Sequence, residues 1–266
     1  MKSILEHNRR AWDERVRSRQ PYIDTATDLN FQNPWPVVDP FNWLGRDVTG
    51  QRVLCLAAGG GRHGPLFAAL GAIVTVVDLS PAMLALDRQV AAERGLSVNT
   101  RQGAMEDLSF FGEASFDIVV QPVSTCYTPD IAAVYRQAAC VLKAGGLYIS
   151  HHKQPASLQS EYDSAARAYV LREPYYRNGP LPLAAEEGWH REAGTLEYLH
   201  RWEELIGSLC RSGFVVEDLV EPRHADPKSE PGSFRHRSCF VPPFVAIKAR
   251  RTAEPATSGR ARIWTP

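Results

Sequence analysis

Short β-branched and apolar runs alternate with helical stretches from Arg52 to His152. The run from Val53 reads "VLCLAAGGGRHG" to Gly64, apolar until it meets three glycines. Pro65 to Leu70 has the character of a helix start, and Ala72 to Asp78, "AIVTVVD", is a second strand-like run. This is strand, tight turn, helix, strand. "SPAMLALDRQVAAERG" then predicts a helix: Ser80 suits the N-cap, Pro81 the first helical position and Gly95 the stop. Val98 to Gln102 predicts a short strand, "FDIVVQP" from Phe116 to Pro122 a buried one, Asp130 to Gly146 a helix, and "LYISHH" from Leu147 to His152 a further strand. Such alternation predicts a doubly wound, Rossmann-like α/β fold with a mostly parallel sheet covered on both faces.

The rhythm breaks after His152. Residues 153–195 are rich in Pro, Tyr, Arg and Glu with little periodicity, and read as an insertion. From Thr195, Leu199, Trp202, Leu205, Ile206 and Leu209 fall on one helical face, followed by Gly213, the strand "FVVEDLVE" and a last strand from Phe244 to Arg250. The loop between those two strands is long enough for an antiparallel hairpin at the C-terminal edge of the sheet. Ile4 to Arg17 predicts a helix, and "NPWPVVDPFNWLG" an irregular aromatic cover. The chain thus divides into an N-terminal helix and cover (1–50), a core (51–152), an insertion (153–195), a helix and edge strands of the same core (196–250) and a flexible tail (251–266).

Composition narrows the partners. The 266 residues are 44% hydrophobic and 23% charged, enough to bury a core, and 30 Lys plus Arg balance 30 Asp plus Glu. Nothing in that balance draws the chain to nucleic acid or an anionic membrane. Its five cysteines are odd in number, scattered and without a C-x-x-C pair, which argues against disulfides and a zinc site, and no metal is expected. The start "MKSILEHNRRAWDERVRSR" has no signal-peptide core, and no apolar run reaches the roughly 18 residues that span a bilayer. A reduced, cytoplasmic protein is expected.

Gly59, Gly61 and Gly64 satisfy G-x-G-x-x-G between a strand and a helix, and Asp78 ends the next strand 19 residues after Gly59. Glycines let backbone approach a ligand, the helix start offers unpaired N–H groups, and a carboxylate at that strand end can accept from both hydroxyls of a ribose. A ribose-containing cofactor fits this arrangement; the plainer alternative is a tight turn with a solvated Asp78.

Together with "VVDLSPAMLALDR", "RQGAMEDLSFFGEASFDIVV" and "VLKAGGLYIS", the glycine stretch resembles the class I S-adenosylmethionine-dependent methyltransferase family over roughly Arg52 to Ser150, and more loosely in the last two strands. The resemblance implies S-adenosylmethionine as cofactor and S-adenosylhomocysteine as product. It implies that Ala57, Ala58, Gly59, Gly60 and Gly61 line the methionine part, that Asp78 holds the ribose, and that Leu79 and Met83 lie against adenine. The family often has an acid where Ala104 stands, so the Met105 backbone or the Glu106 side chain is the candidate substitute, the alternative being adenine held mainly by apolar contact. Gln121 to Val123, at the end of the fourth strand, would face the reacting methyl.

Methyl transfer needs a base only where the acceptor attacks while still protonated. His151 and His152 end the fifth strand at the carboxyl edge of the sheet, where ligands of this fold bind, and alternation lets one of them at most reach the pocket. For either residue, the reading as a hydrogen-bonded structural histidine is the favoured one. Tyr22 and Tyr127 are further candidates for which packing competes. In the insertion, Arg172, Arg177 or Arg191 is available to pair with an acidic substrate group, and Trp12 on the first helix to close over the cofactor. "QPVS" after the fourth strand lacks the (N/D)-P-P-(Y/F) pattern of base-amine methylation, which favours a small-molecule acceptor over nucleic acid. Two other functions share these signals: an NAD(P)-dependent oxidoreductase, and a non-catalytic binding protein that kept the fold.

Overall fold

In the strand Arg52–Leu56 (β1), every residue after Arg52 is buried, as a central strand with helices on both faces requires. Ile73–Asp78 (β2), Val98–Gln102 (β3), Phe116–Gln121 (β4) and Leu142–Lys153 (β5) join it in parallel. The computed structural model describes residues 2–184, 188 and 191–253. Helices Lys2–Arg17 (α1), Asp28–Gln32 (α2) and Trp35–Val38 (α3) precede the sheet. His63–Ala69 (α4), Pro81–Glu93 (α5) and Ile131–Val141 (α6) make the crossovers.

The insertion is partly regular: Pro155–Gln159 (α7) leads into a two-stranded antiparallel sheet of Ser160–Asp163 (β6) and Ala168–Leu171 (β7). A π-helical turn, Glu203–Gly207, then runs into Ser208–Arg211 (α8), followed by Phe214–Val220 (β8), Phe234–Arg237 (α9) and Phe244–Arg251 (β9). The main sheet runs β3-β2-β1-β4-β5-β9-β8. β9 lies antiparallel between β5 and β8, so the C-terminal hairpin closes one edge.

Alternation along the strands splits the core in two. Leu54, Leu56, Val119 and Tyr148 pack with Tyr135 of α6 on one face, while Val53, Cys55, Val76 and Val120 pack with Phe67 of α4 on the other. Strand order reverses between β1 and β4, and a crevice opens there at the carboxyl ends of the strands.

Three sequence expectations change. α6 stops at Val141 rather than Gly146, because Leu142 pairs with Phe116 and the register then jumps to Leu147 opposite Ile118. A Cβ on Gly146 would lie 2.9 Å from the Lys143 carbonyl oxygen, so this bulge closes tightly on glycine. The helix expected from Thr195 begins only in the turn at Glu203. Upstream, backbone donors turn outward: the Tyr198 N–H reaches the Cys126 carbonyl (2.7 Å) and the Leu196 N–H reaches Asn8 Oδ1 (2.8 Å). The tail expected from 251 loses Arg251, which ends β9. Residues 254–266, and Glu186, Glu187, Trp189 and His190 of "EEGWHRE", lie outside the described residues. Among the described residues no helix is long and apolar enough to cross a membrane.

Candidate active site

Backbone strain marks the end of β1. Ala57 sits at φ 48°, costly for a residue with a Cβ, and Gly60 and Gly61 follow at 123° and 70°. Gly59 meets a different limit: a Cβ there would come within 2.8 Å of Met83 Cβ and 2.9 Å of Asp78 Oδ2. The loop is held by two carboxylates. The Gly59 N–H donates to Asp78 Oδ2 and the Gly60 N–H to Asp87 Oδ2, both at 2.9 Å. Asp78 also accepts from the Ser80 N–H (2.9 Å); burial pushes its carboxyl up and these N–H bonds pull it back. Asp87, fully buried in α5, is pushed up to about 7 by burial.

The glycine loop opens on a cavity of about 550 Å³, ordinary for a small-molecule site. Asp78, Leu79 and Met83 form one end with Ala104, Met105 and Glu106 from the loop after β3. Both carboxylate oxygens of Glu106 are buried and lack a partner among the described residues. Such a group costs free energy until a donor reaches it, so an amino-bearing ring beside Asp78 fits this chain. The glycine cradle and the two acids therefore suit S-adenosylmethionine: Ala57, Ala58, Gly59 and Gly60 line the wall, while Gly61 does not. A Cβ on Gly61 would instead lie 2.9 Å from the Leu86 carbonyl oxygen, so its role is the fit of the loop onto α5.

At the other end Pro122, Val123, Ser124 and Tyr127 line the cavity, but Gln121 does not. Its side chain turns into the core, where its amide donates to Ser124 Oγ (3.0 Å) and accepts from the Tyr148 hydroxyl (2.5 Å). The two strand-end histidines separate as alternation requires. His151 lines the cavity with its ring 5.9 Å from that of Phe41, and burial lowers its pKa. His152 is buried on the opposite face between Thr125 Oγ1 and Ser150 Oγ, each at 2.8 Å, and burial pushes it to about 3. Tyr22 and Tyr127 both reach the cavity. Tyr22 donates to the Gly188 carbonyl (2.8 Å), and Tyr127 to Glu192 Oε2 (2.8 Å).

α1 covers the crevice. Leu5, Asn8 and Trp12 line the cavity, and Trp12 meets Tyr127 edge-on at 5.6 Å. Asp13 anchors the helix, accepting from Ser80 Oγ (2.6 Å) and from Arg9 (2.8 Å). The arginines of the insertion stay out of the lining: Arg172 pairs with Asp163 (2.9 Å), Arg177 with Glu173 (2.5 Å) and Arg191 with Glu197 (3.4 Å).

Sequence reasoning missed Asp87, His63 and Glu192. Asp87 had a faint signal, an acid in register with the buried Leu84 and Val90 of α5. His63, on the cavity wall at the start of α4, is pushed down to about 4 by burial and by Arg62. Glu192 had no local signal, since its ion pair with Lys153 (2.6 Å) joins β5 to a segment 39 residues on.

Comparison with known proteins agrees with this geometry. Residues 54–150 match the family described as Methyltransferase domain. An uncharacterized methyltransferase of Bacillus subtilis (strain 168), YbaJ, is 33% identical over 236 residues, 84% of this chain and 92% of its own. A ubiquinone biosynthesis O-methyltransferase of Xanthomonas euvesicatoria pv. vesicatoria is 34% identical over 155 residues, covering 56% of this chain and 64% of its own. In fold, the chain superposes on an S-adenosylmethionine-dependent methyltransferase from Mesorhizobium loti with TM-score 0.62 at 23% identity, covering 79% of this chain and 97% of the other. With this sheet order, this cavity and a relative that matches nearly end to end, the chain belongs to the class I S-adenosylmethionine-dependent methyltransferases.

Proposed function

We propose that the protein methylates a small-molecule acceptor bound between α1, the end of β4 and Glu192. The carrying observation is the single cavity that begins at Asp78 and Glu106 and continues past Val123 to His151, Glu192 and Phe244 beneath α1. A covered cavity of about 550 Å³ suits a small acceptor, whereas a polymer would need an open groove. Relatives named for O-methylation in ubiquinone biosynthesis support the same substrate scale. Five free cysteines support a reduced, cytoplasmic setting.

When bound, S-adenosylmethionine supplies a methyl group already made electrophilic by its sulfonium. The residues' task is then positioning, which is worth about 7–11 kcal/mol. Asp78 holds the ribose hydroxyls, Gly59 and Gly60 let the main chain approach the methionine portion, and Glu106 receives the adenine amino group. Burial disfavours the charge of His151, which leaves a neutral imidazole on the cavity wall as a base for an acceptor that does not give its proton to a carboxylate. His152, tied to Thr125 and Ser150, has a structural part.

Calorimetric titration with S-adenosylmethionine, S-adenosylhomocysteine and NAD tests the reading. The adenosyl ligands bind wild type, and Asp78→Ala weakens them by about 1–3 kcal/mol, the loss expected for hydrogen bonds to a charged acceptor. Binding of NAD alone would overturn it.

A further inference from the structure

We propose that Glu192 binds the hydroxyl group of the methyl acceptor, which makes the substrate an alcohol, phenol or enol rather than an amine. The proposal rests on the acceptor cavity assigned above. Glu192 is only 7% exposed, yet it lines that cavity beside Tyr127 and Trp12. Its Oε2 is fully engaged, accepting from Lys153 Nζ at 2.6 Å and from the Tyr127 hydroxyl at 2.8 Å. No described residue donates to Oε1. A buried carboxylate that has two oxygens and donors for only one retains an acceptor site, and the cavity is where a donor can arrive.

The surrounding charges select the donor. Lys153 also bonds Glu197 Oε2 (3.0 Å), Arg191 lies 3.4 Å from Glu197 Oε1, and Arg15 adds its attraction to Glu192. Among the described residues, Lys153 and Arg191 thus already balance the two carboxylates. An ammonium would bring uncompensated positive charge into this balanced, buried cluster, whereas a neutral hydroxyl donates its hydrogen bond without that cost. Burial and the neighbouring acids keep the Tyr127 phenol protonated, so it remains a donor to Oε2. Apolar groups at Leu5, Trp12, Val37 and Phe244 accept the body of the molecule.

The test uses the full chain loaded with S-adenosylhomocysteine and the matched probes p-cresol and 4-methylanisole, with binding followed by saturation-transfer NMR. p-Cresol is expected to bind at least about tenfold tighter than 4-methylanisole, the scale of one hydrogen bond to a charged group. In Glu192→Gln the amide oxygen must stay with the donors Lys153 and Tyr127, which turns the NH₂ toward the cavity. The preference for p-cresol should then fall at least tenfold while S-adenosylhomocysteine affinity is unchanged. Glu192→Asp, which keeps the charge opposite Lys153 but withdraws it by one methylene, should lower the same ratio if the glutamine variant folds poorly. Equal binding of the two probes to wild type, an unchanged ratio in the variants, or tighter binding of benzylamine than of p-cresol would overturn the proposal. Failure of S-adenosylhomocysteine itself to bind wild type is a separate result, and it would overturn the cofactor reading along with this one.

Discussion

At the scale of single residues, the adenine recognition proposed above turns on two positions. Ala104 stands where the family often has an acid, and Glu106, two residues on, presents a buried carboxylate with no partner among the described residues. The sequence left the Met105 backbone, the Glu106 side chain and apolar contact alone as alternatives; the unsatisfied oxygens favour Glu106. Wild type is therefore expected to bind S-adenosylhomocysteine more tightly than S-inosylhomocysteine, in which an oxo group replaces the amino donor. Glu106→Ala should weaken the adenosyl ligand by about 1–3 kcal/mol and erase the preference; a preference that survives in titrations of the variant would assign the amino group to another partner. The two adjacent histidines show how much one residue of register decides. Alternation along β5 limited the pocket to one of them, and packing between Thr125 and Ser150 removed His152.

At the scale of elements, α1 owes its position to polar bonds more than to an apolar stripe. Its buried residues are Asn8, Asp13 and Arg15. Asn8 bonds the Tyr127 and Leu196 carbonyls, and Asp13 accepts from the side chain that caps α5 and, at 3.3 Å, from the Ala82 N–H. Asp13→Ala leaves Ser80 capping α5 but unties α1 from it. A loss of about 1–2 kcal/mol is expected, read as a melting midpoint lower by a few degrees. Hydrogen exchange should rise in α1 while β1, β4 and β5 stay protected; uniform loss of protection would mean that α1 and the sheet unfold as one unit. The segment before α8 carries the opposite lesson. Leu199, Trp202, Leu205 and Leu209 have helical spacing, but the Leu196 and Tyr198 N–H groups are spent on Asn8 and Cys126, and tertiary bonds override periodicity.

At the scale of the molecule, buried histidines set the response to acid. In the unfolded chain they titrate near 6.5, whereas burial holds His63 at about 4 and His152 at about 3 and also lowers His151 and His200. Below about pH 6.5 the unfolded state therefore binds protons that these folded side chains refuse, and their contribution to stability falls as pH drops toward 4. Asp87 has the reverse sign. Raised to about 7 in the fold, it contributes most below the ordinary carboxylate range, and that contribution is lost as pH climbs from about 4 through 7. Denaturant unfolding across pH 4–7 should give a shallower acid-side loss for His152→Asn and a steeper one for Asp87→Asn, each relative to wild type. Parallel curves for all three proteins would show that neither group couples to folding.

The order of strands and helices from β1 to β5, the glycine turn and the acid at the end of β2 were determined by the sequence alone. Each depends on neighbours within about 20 residues: β-branched runs that suit a buried strand, glycines where φ is positive, and a cap at Ser80. Only the tertiary structure decided which polar groups line the cavity. Glu192 meets Lys153 and Tyr127 across 39 and 65 residues, and Asp13 meets Ser80 across 67. Such meetings follow from how the sheet is wound and how the insertion folds back under α1. Local periodicity carries no information about that closure, because a side chain's partner across the fold leaves no mark on the residues beside it.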